Sequence, residues 1–175
     1  MPKLERLSWI APLSEGRGVT LTDNPEADLF LAENPNALLL GVLLDSQFAT
    51  KLAFASPLRL HQRLGHIDFV RIAAEEEGVL VEVFARKPAL HRFPNKFART
   101  TLVLAQVVTE QYGGDAARIW QEAGSVDELG RRIKALPAFG IDKTNWTVGM
   151  LGTLGLLPYD GWQEYRVPGT KPPPS

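Results

Sequence analysis

Apolar positions recur at helical spacing along most of the chain. The clearest case is segment 96–112, where six residues lie on one helix face before Gly113-Gly114 ends the element: Phe97, Thr101, Leu104, Ala105, Val108 and Tyr112. Segment 37–44 is apolar without interruption, which predicts a helix from Asn36 to Ser46 at the centre of the fold. Because no segment alternates convincingly between apolar and polar residues, we predict an all-α fold of roughly eight to ten short helices.

Local signals set the expected ends of these helices. Asp23-Asn24-Pro25 and Asn34-Pro35 are typical of helix starts, and the first helix is predicted to end near Glu33. Ser125-Val-Asp-Glu128 is a capping box, and the helix that it opens is predicted to end near Leu136-Pro137. Further helices are predicted over 51–64 with an interruption near Pro57, and over 68–77, 79–86, 115–123 and 141–154.

The length of 175 residues suits one domain, or two small lobes that share a core. We divide the chain into an amino-terminal arm and helix (1–34), a helical core (35–155) and a carboxy-terminal turn and tail (156–175). The proline-rich tail is predicted to be disordered from Pro168. The arm and the tail together are expected to form a small second lobe.

Charge is distributed unevenly, although the formal net charge is only −1. Segment 20–50 carries acidic residues and no basic ones, whereas segment 86–99 carries five basic residues and no acidic ones. One basic face is sufficient for phosphate contact, and His91 within it is a further candidate contact. The alternative is that the basic segment is an ordinary solvated loop and helix start.

The residue types that are absent narrow the chemistry. The chain has no cysteine, which excludes disulfides, zinc–thiolate sites, iron–sulfur clusters and thiol nucleophiles. Its three histidines lack a compelling metal-ligand arrangement. The longest apolar run, Ala37 to Leu44, is too short to span a bilayer. From these absences we expect a cytoplasmic protein that does not contact membranes. We also expect a monomer.

The segment Leu136-Pro-Ala-Phe-Gly140 lies between two predicted helices. A tight turn at this place exposes backbone N–H groups at the start of the second helix, and the helix dipole makes that start attractive to a DNA phosphate. The candidate contacts are backbone groups of Ala138, Gly140 and Ile141, together with the charge of Lys143. The alternative is an ordinary helical hairpin without a ligand.

Four features occur in an order that resembles the helix-hairpin-helix superfamily of base-excision DNA glycosylases. They are the apolar helix leading to Gln47, residues 91–99 with Lys96, the loop Gln111-Tyr-Gly-Gly114, and the hairpin ending at Gly140. The resemblance is to endonuclease III-like proteins, and more narrowly to a bacterial branch without an iron–sulfur cluster. It covers residues 35 to 160, and each feature alone is weak.

This resemblance implies that the protein binds double-stranded DNA and hydrolyses the N-glycosidic bond of a damaged or mispaired base. Gln47 then enters the space left by the flipped base, and Asp160, at the family's distance from Gly140, is the catalytic carboxylate. A monovalent cation held by the carbonyls of Leu136 and Phe139 is the only cofactor implied. The family's Schiff-base lysine position holds Asp142, so we expect a monofunctional glycosylase without lyase activity.

Two departures from the family pattern keep alternatives open. Ala138 replaces the first hairpin glycine, and Asp160 lies in Tyr159-Asp-Gly-Trp162, which is also ordinary turn chemistry. Tyr159 and Trp162 either stack on a base or pack the tail onto the body, and Trp146 is expected in the core. The alternatives are therefore a catalytically inactive DNA-binding protein on the same scaffold, or a helical protein-interaction module.

Overall fold

The computed structural model describes residues 21–165, and within that range the chain contains helices and no strand. The predicted all-α class is confirmed for this part of the chain. The arm before residue 21 and the predicted disorder from Pro168 lie outside the described residues. The helices are α1 Pro25–Glu33, α2 Pro35–Leu44, α3 Thr50–Leu64, α4 Phe69–Ala73, α5 Glu77–Ala85, α6 Pro94–Tyr112, α7 Ala117–Gln121, α8 Val126–Lys134 and α9 Ile141–Thr153, followed by a 3-10 turn at Trp162–Glu164.

Helix α2 lies at the centre of the molecule, as its uninterrupted apolar run predicts. All eight residues from 37 to 44 are buried, and α2 packs against α1, α3 and α6. Gly41 allows the close approach of α3, because a Cβ atom at this position would overlap the ring of Phe54. Phe54 itself is fully buried, so the ring has no space into which to move.

The start of α2 is tied to the end of α6 by one side chain. The Asn36 amide donates to the carbonyls of Ile67 (3.3 Å) and Gly114 (3.1 Å), and its oxygen accepts from the Ala116 N–H (2.9 Å). The predicted stripe of α6 is buried throughout, and Gly113 ends the helix at φ 64°, as predicted. The axis of α2 is thus fixed at its first turn as well as along its length.

Two details differ from the sequence prediction. The predicted interruption near Pro57 is wrong, since α3 continues through this residue from Thr50 to Leu64. Helix α4 ends at Ala73 instead of extending to residue 77. Three consecutive glutamates at 75–77 disfavour a helix C-terminus, whereas Glu77 suits the first turn of α5.

Among residues 21–165 no single helix has the length and apolar composition needed to cross a membrane, and the α1–α2 pair meets that criterion only as two segments bent by 116°.

The Gly41 contact predicts a measurable loss of stability. Gly41→Ala should lower the free energy of unfolding by about 1–2 kcal/mol, because overpacking against Phe54 exceeds the gain of about 1 kcal/mol in helix propensity. The matched control is Gly78→Ala in α5, where an added Cβ meets no atom within 4 Å. Urea denaturation should show the control unchanged or more stable. Equal effects of the two substitutions would contradict the close packing of α2 on α3.

Candidate nucleic-acid interface

Helices α8 and α9 pack together and are joined by a turn at residues 135–140. The capping box forms at the start of α8: the Ser125 hydroxyl accepts from the Glu128 N–H at 3.2 Å. The Glu128 carboxylate accepts from the N–H of Gly124, one residue earlier than the usual reciprocal partner. Gly140 is the N-cap of α9 and its carbonyl accepts from Thr144 N–H at 2.9 Å.

One side of the turn packs against the core, and the other side is exposed to solvent. Leu136 and Phe139 are buried, whereas Ala138, Gly140 and Ile141 are exposed. Within residues 21–165 no side chain caps the first amides of α9, and no acceptor is recorded for the Ile141 N–H. In the flanking segment 129–144 the exposed charges are those of Arg131 and Lys134, which are basic, and Asp142, which is acidic. The first amides of α9 therefore meet the physical requirements of an anion site.

Ala138 adopts a backbone conformation that glycine adopts more easily. Its φ is 64°, in the left-handed region, where a side chain costs about 1–2 kcal/mol. The Leu136 carbonyl accepts from the Phe139 N–H at 3.2 Å, which closes the turn. A second lone pair on that oxygen is still available to the cation that the family resemblance implies. No cluster of three metal-ligating side chains occurs in the described part of the chain.

Gln47 lies at the other candidate contact, just beyond the end of α2. Its side chain is exposed and its φ is 53°, so the backbone projects this residue from a left-handed turn. The preceding residues are held in place, since the Asp45 N–H donates to the carbonyls of Gly41 and Val42 and the Ser46 N–H donates to that of Leu44. Gln47 therefore extends from a backbone segment that hydrogen bonds hold in place.

Lys143 points inward, toward the end of α2. Its Nζ donates to the Leu43 carbonyl at 3.0 Å and lies 5.7 Å from the centre of the Phe139 ring. Burial lowers the pKa of Lys143 to about 8, and the nearby Asp45 charge partly opposes this shift. Burial also raises the pKa of Asp45, while a hydrogen bond from Thr50 (3.0 Å) and the Lys143 charge act in the opposite direction. The ammonium group thus links α9 to the Gln47 segment instead of lying on the exposed turn.

His91 links the basic segment to the same place. It is only 1% exposed, so the expected direct nucleic-acid contact is wrong. Its Nδ1 accepts from the Phe93 N–H at 2.9 Å, which assigns the proton to Nε2, and Nε2 donates to the Ser46 carbonyl at 2.9 Å. Burial lowers the pKa of His91, the hydrogen bond to the Ser46 carbonyl partly opposes this shift, and the charges of Lys143 and Lys96 add to it. The ring also stacks on Phe97 at 3.7 Å, and Lys96 itself is exposed.

Asp160 lies at the opposite end of the hairpin. It is exposed, and the next residue, Gly161, packs against Val126 at the start of α8. Trp162, two residues after Asp160, lies against Gly152 near the end of α9, so the chain around Asp160 packs at the end of the hairpin away from the Gly140 turn. Sequence spacing alone placed this carboxylate in the site, and the structure does not bring it close to Gln47.

The aromatic residues around Asp160 pack the chain onto the body, which is the second of the two readings given above. The Tyr159 hydroxyl donates to the Trp120 carbonyl at 2.8 Å, and burial raises the pKa of Tyr159 to about 12. The Trp162 ring covers Gly152, where a Cβ would overlap it. Trp146 is half-buried and packs near Phe54, at 5.9 Å between ring centres.

The structure therefore brings Gln47, Lys143 and the Gly140 turn to one end of α9 and leaves Asp160 at the other. Comparison with known families and proteins finds no matching family model and no significant match among curated sequences. The function is accordingly inferred from the geometry around Gln47 and the turn.

The buried ammonium predicts an unusual dependence of stability on pH. The folded-state pKa of Lys143, about 8, lies below its unfolded value of 10.5, so between these values the unfolded chain holds a proton that the folded chain has released. The stability that Lys143 contributes should therefore rise with pH across this window, by roughly 1 kcal/mol per pH unit.

The measurement is urea denaturation from pH 7 to 10 for the wild type, for Lys143→Met and for the exposed control Lys134→Met. The wild type should gain stability relative to Lys143→Met as pH rises above 8, whereas its stability relative to Lys134→Met should stay constant. Parallel stability curves for the wild type and Lys143→Met would show that the ammonium is not buried as described.

Proposed function

We propose that this protein binds duplex DNA, with the turn at residues 135–140 holding a backbone phosphate and Gln47 contacting the base stack. The observation that carries the proposal is the exposed start of α9, where the Ile141 N–H has no recorded acceptor and basic residues outnumber acidic ones. Helix dipole and free amides favour a phosphate without reading base sequence. The order of residues that resembles endonuclease III-like glycosylases supports the same interpretation of this helix-hairpin-helix.

Gln47, the second proposed contact, points to a role of this protein in DNA repair. Gln47 is exposed in a left-handed turn, and its neighbours are held by hydrogen bonds from Lys143 and His91. A protruding side-chain amide on a rigidly held backbone is suited to occupy the gap that a flipped nucleotide leaves. Its hydrogen-bond donors and acceptors replace those of the flipped nucleobase. The function that follows is recognition of a distorted or damaged base pair.

We further propose that recognition is coupled to base excision by a monofunctional glycosylase, in which Asp160 is the candidate carboxylate. A second candidate is a DNA-binding protein on the same scaffold without catalysis. One observation favours this second candidate: Asp160 is exposed, and the residues after it pack against Val126 at the start of α8 and Gly152 near the end of α9, away from the turn. A carboxylate that stabilises an oxocarbenium-like sugar must lie next to that sugar.

The phosphate contact is tested by removing the backbone N–H of Ile141, with a second variant that changes the side chain and keeps the N–H. Ile141 is the first residue of α9, a position where proline fits the helix, and its side chain is exposed. Ile141→Pro should bind a 20-base-pair duplex about 10-fold to 150-fold more weakly, since a hydrogen bond to a charged group contributes about 1.5–3 kcal/mol. Ile141→Ala, which keeps the N–H, should bind as the wild type does in fluorescence anisotropy titrations.

Equal affinities of the two Ile141 variants would contradict a phosphate at this turn. Base excision is tested on a panel of duplexes that each carry one damaged or mispaired base. If Asp160→Asn abolishes base release and keeps duplex affinity, the glycosylase proposal is supported. If the wild type binds duplexes but releases no base from the panel, the inactive DNA-binding protein is the correct alternative.

A further inference from the structure

The basic segment lies along α3 and is fastened to it by backbone carbonyls. At one end, the Arg63 guanidinium donates to the carbonyls of Val83 (2.7 Å), Arg86 (2.9 Å) and Pro88 (2.7 Å). In the middle, the Ser56 hydroxyl donates to the Leu90 carbonyl at 2.6 Å. At the other end, His91 reaches the Ser46 carbonyl beside Gln47. The segment therefore runs from the end of α3 back to the Gln47 turn.

Because side chains of α3 hold the segment through its backbone carbonyls, the basic side chains of the segment remain at the surface. Arg86, Lys87 and Arg92 are exposed, and Arg59 on the neighbouring turn of α3 is partly exposed. Within residues 21–165 the recorded ion pairs of lysine and arginine involve other residues, namely Lys51, Arg99, Arg118 and Arg132. We call Arg59, Arg86, Lys87 and Arg92 the basic ridge.

Two positive charges of the ridge, those of Arg59 and Arg86, lie close to the Arg63 guanidinium. The pKa of Arg63 is lowered by burial first, and then by the charges of Arg86 and Arg59. Folding brings these like charges together at a cost that no acidic residue of the described chain offsets by an ion pair. Such an uncompensated cluster suits a polyanion, which supplies the missing negative charge.

The basic segment follows α3 from Arg63 back toward Gln47, and this part of α3 matches a short stretch of duplex in length. From Thr50, near Gln47, to Arg63 the helix rises about 20 Å. Duplex DNA rises about 3.4 Å for each phosphate of a strand, so this distance corresponds to roughly six base pairs. The ridge therefore extends the surface that begins at Gln47 by about half a turn of the double helix.

We propose that the basic ridge is a second phosphate-binding site, which holds the duplex arm leading away from the nucleotide at Gln47. The ridge contacts the sugar–phosphate backbone through charge and does not read bases. It adds an anchor on the α3 side of Gln47 to the one at the Gly140 turn, so the duplex is held on both sides of the distorted position. This inference rests on the proposed function, because it assumes that Gln47 contacts DNA.

The test measures duplex affinity as a function of salt for the wild type and for Arg86→Gln/Lys87→Gln. Both substituted side chains are exposed and make no recorded side-chain contact in the described chain, so the fold should be retained, which circular dichroism verifies. The slope of log affinity against log salt should become shallower by about 0.9 for each lost phosphate contact. The double variant should therefore lose about 1.8 from the slope on a 20-base-pair duplex.

The matched control removes two cations from the opposite end of the molecule. Arg118 in α7 lies against Gly113, and Arg71 in α4 follows Val70, which lies against Gly114. Both glycines are at the end of α6, whose nineteen residues rise about 28 Å from Pro94. Arg71→Gln/Arg118→Gln should leave the slope unchanged. If the wild type binds and the ridge variant keeps its slope, the ridge inference alone is overturned. If the wild type shows no salt-dependent duplex binding, the proposed function is overturned and the ridge inference with it.

Discussion

The burial of α2 on every side determines where the candidate site lies. An apolar helix with no solvent face has no freedom to rotate or slide without exposing leucine side chains, and each fully buried leucine contributes about 1.5–3 kcal/mol to stability. Asn36 fixes the first turn of the helix and Gly41 allows α3 to pack closely against its middle. The last turn is therefore presented at a defined place, and Gln47 follows it by three residues.

The last carbonyls of that helix then organise two other elements. The Leu43 carbonyl accepts from Lys143 in α9, and the Ser46 carbonyl accepts from His91 in the basic segment. Helix C-termini carry partial negative charge, so a lysine and a histidine N–H are suitable partners there. Through these two bonds the hairpin, the Gln47 turn and the basic segment share one support.

Much of the fold follows from local sequence patterns. The apolar run of α2, the stripe of α6 and the capping signals at Asn24 and Ser125 depend on neighbouring residues, and the structure agrees with them. Two features were not predicted, namely the continuation of α3 through Pro57 and the early end of α4. In both places opposing local preferences for helix and for helix termination act on the same residues, and the apolar pattern alone does not show which of them prevails.

The site was less predictable because its side chains are directed by distant contacts. Lys143 bonds to a carbonyl one hundred residues away, and His91 to one forty-five residues away. No spacing rule contains that information, so both residues were expected to face a ligand. Asp160 shows the same limit, since a count of residues from Gly140 does not specify the direction of the chain after α9. The acidic residue directly after the apolar run, Asp45, was the one available signal for a buried partner of Lys143.

The most direct test of the central claim is an NMR titration of the ¹⁵N-labelled protein with a short duplex. Binding at the hairpin should shift the backbone amides of Gly140 and Ile141 most strongly, together with Gln47, while the amides of α4 and α7 stay in place. Shifts confined to α4 and α7, with Gly140 and Ile141 unchanged at saturation, would contradict a phosphate-binding turn at the start of α9.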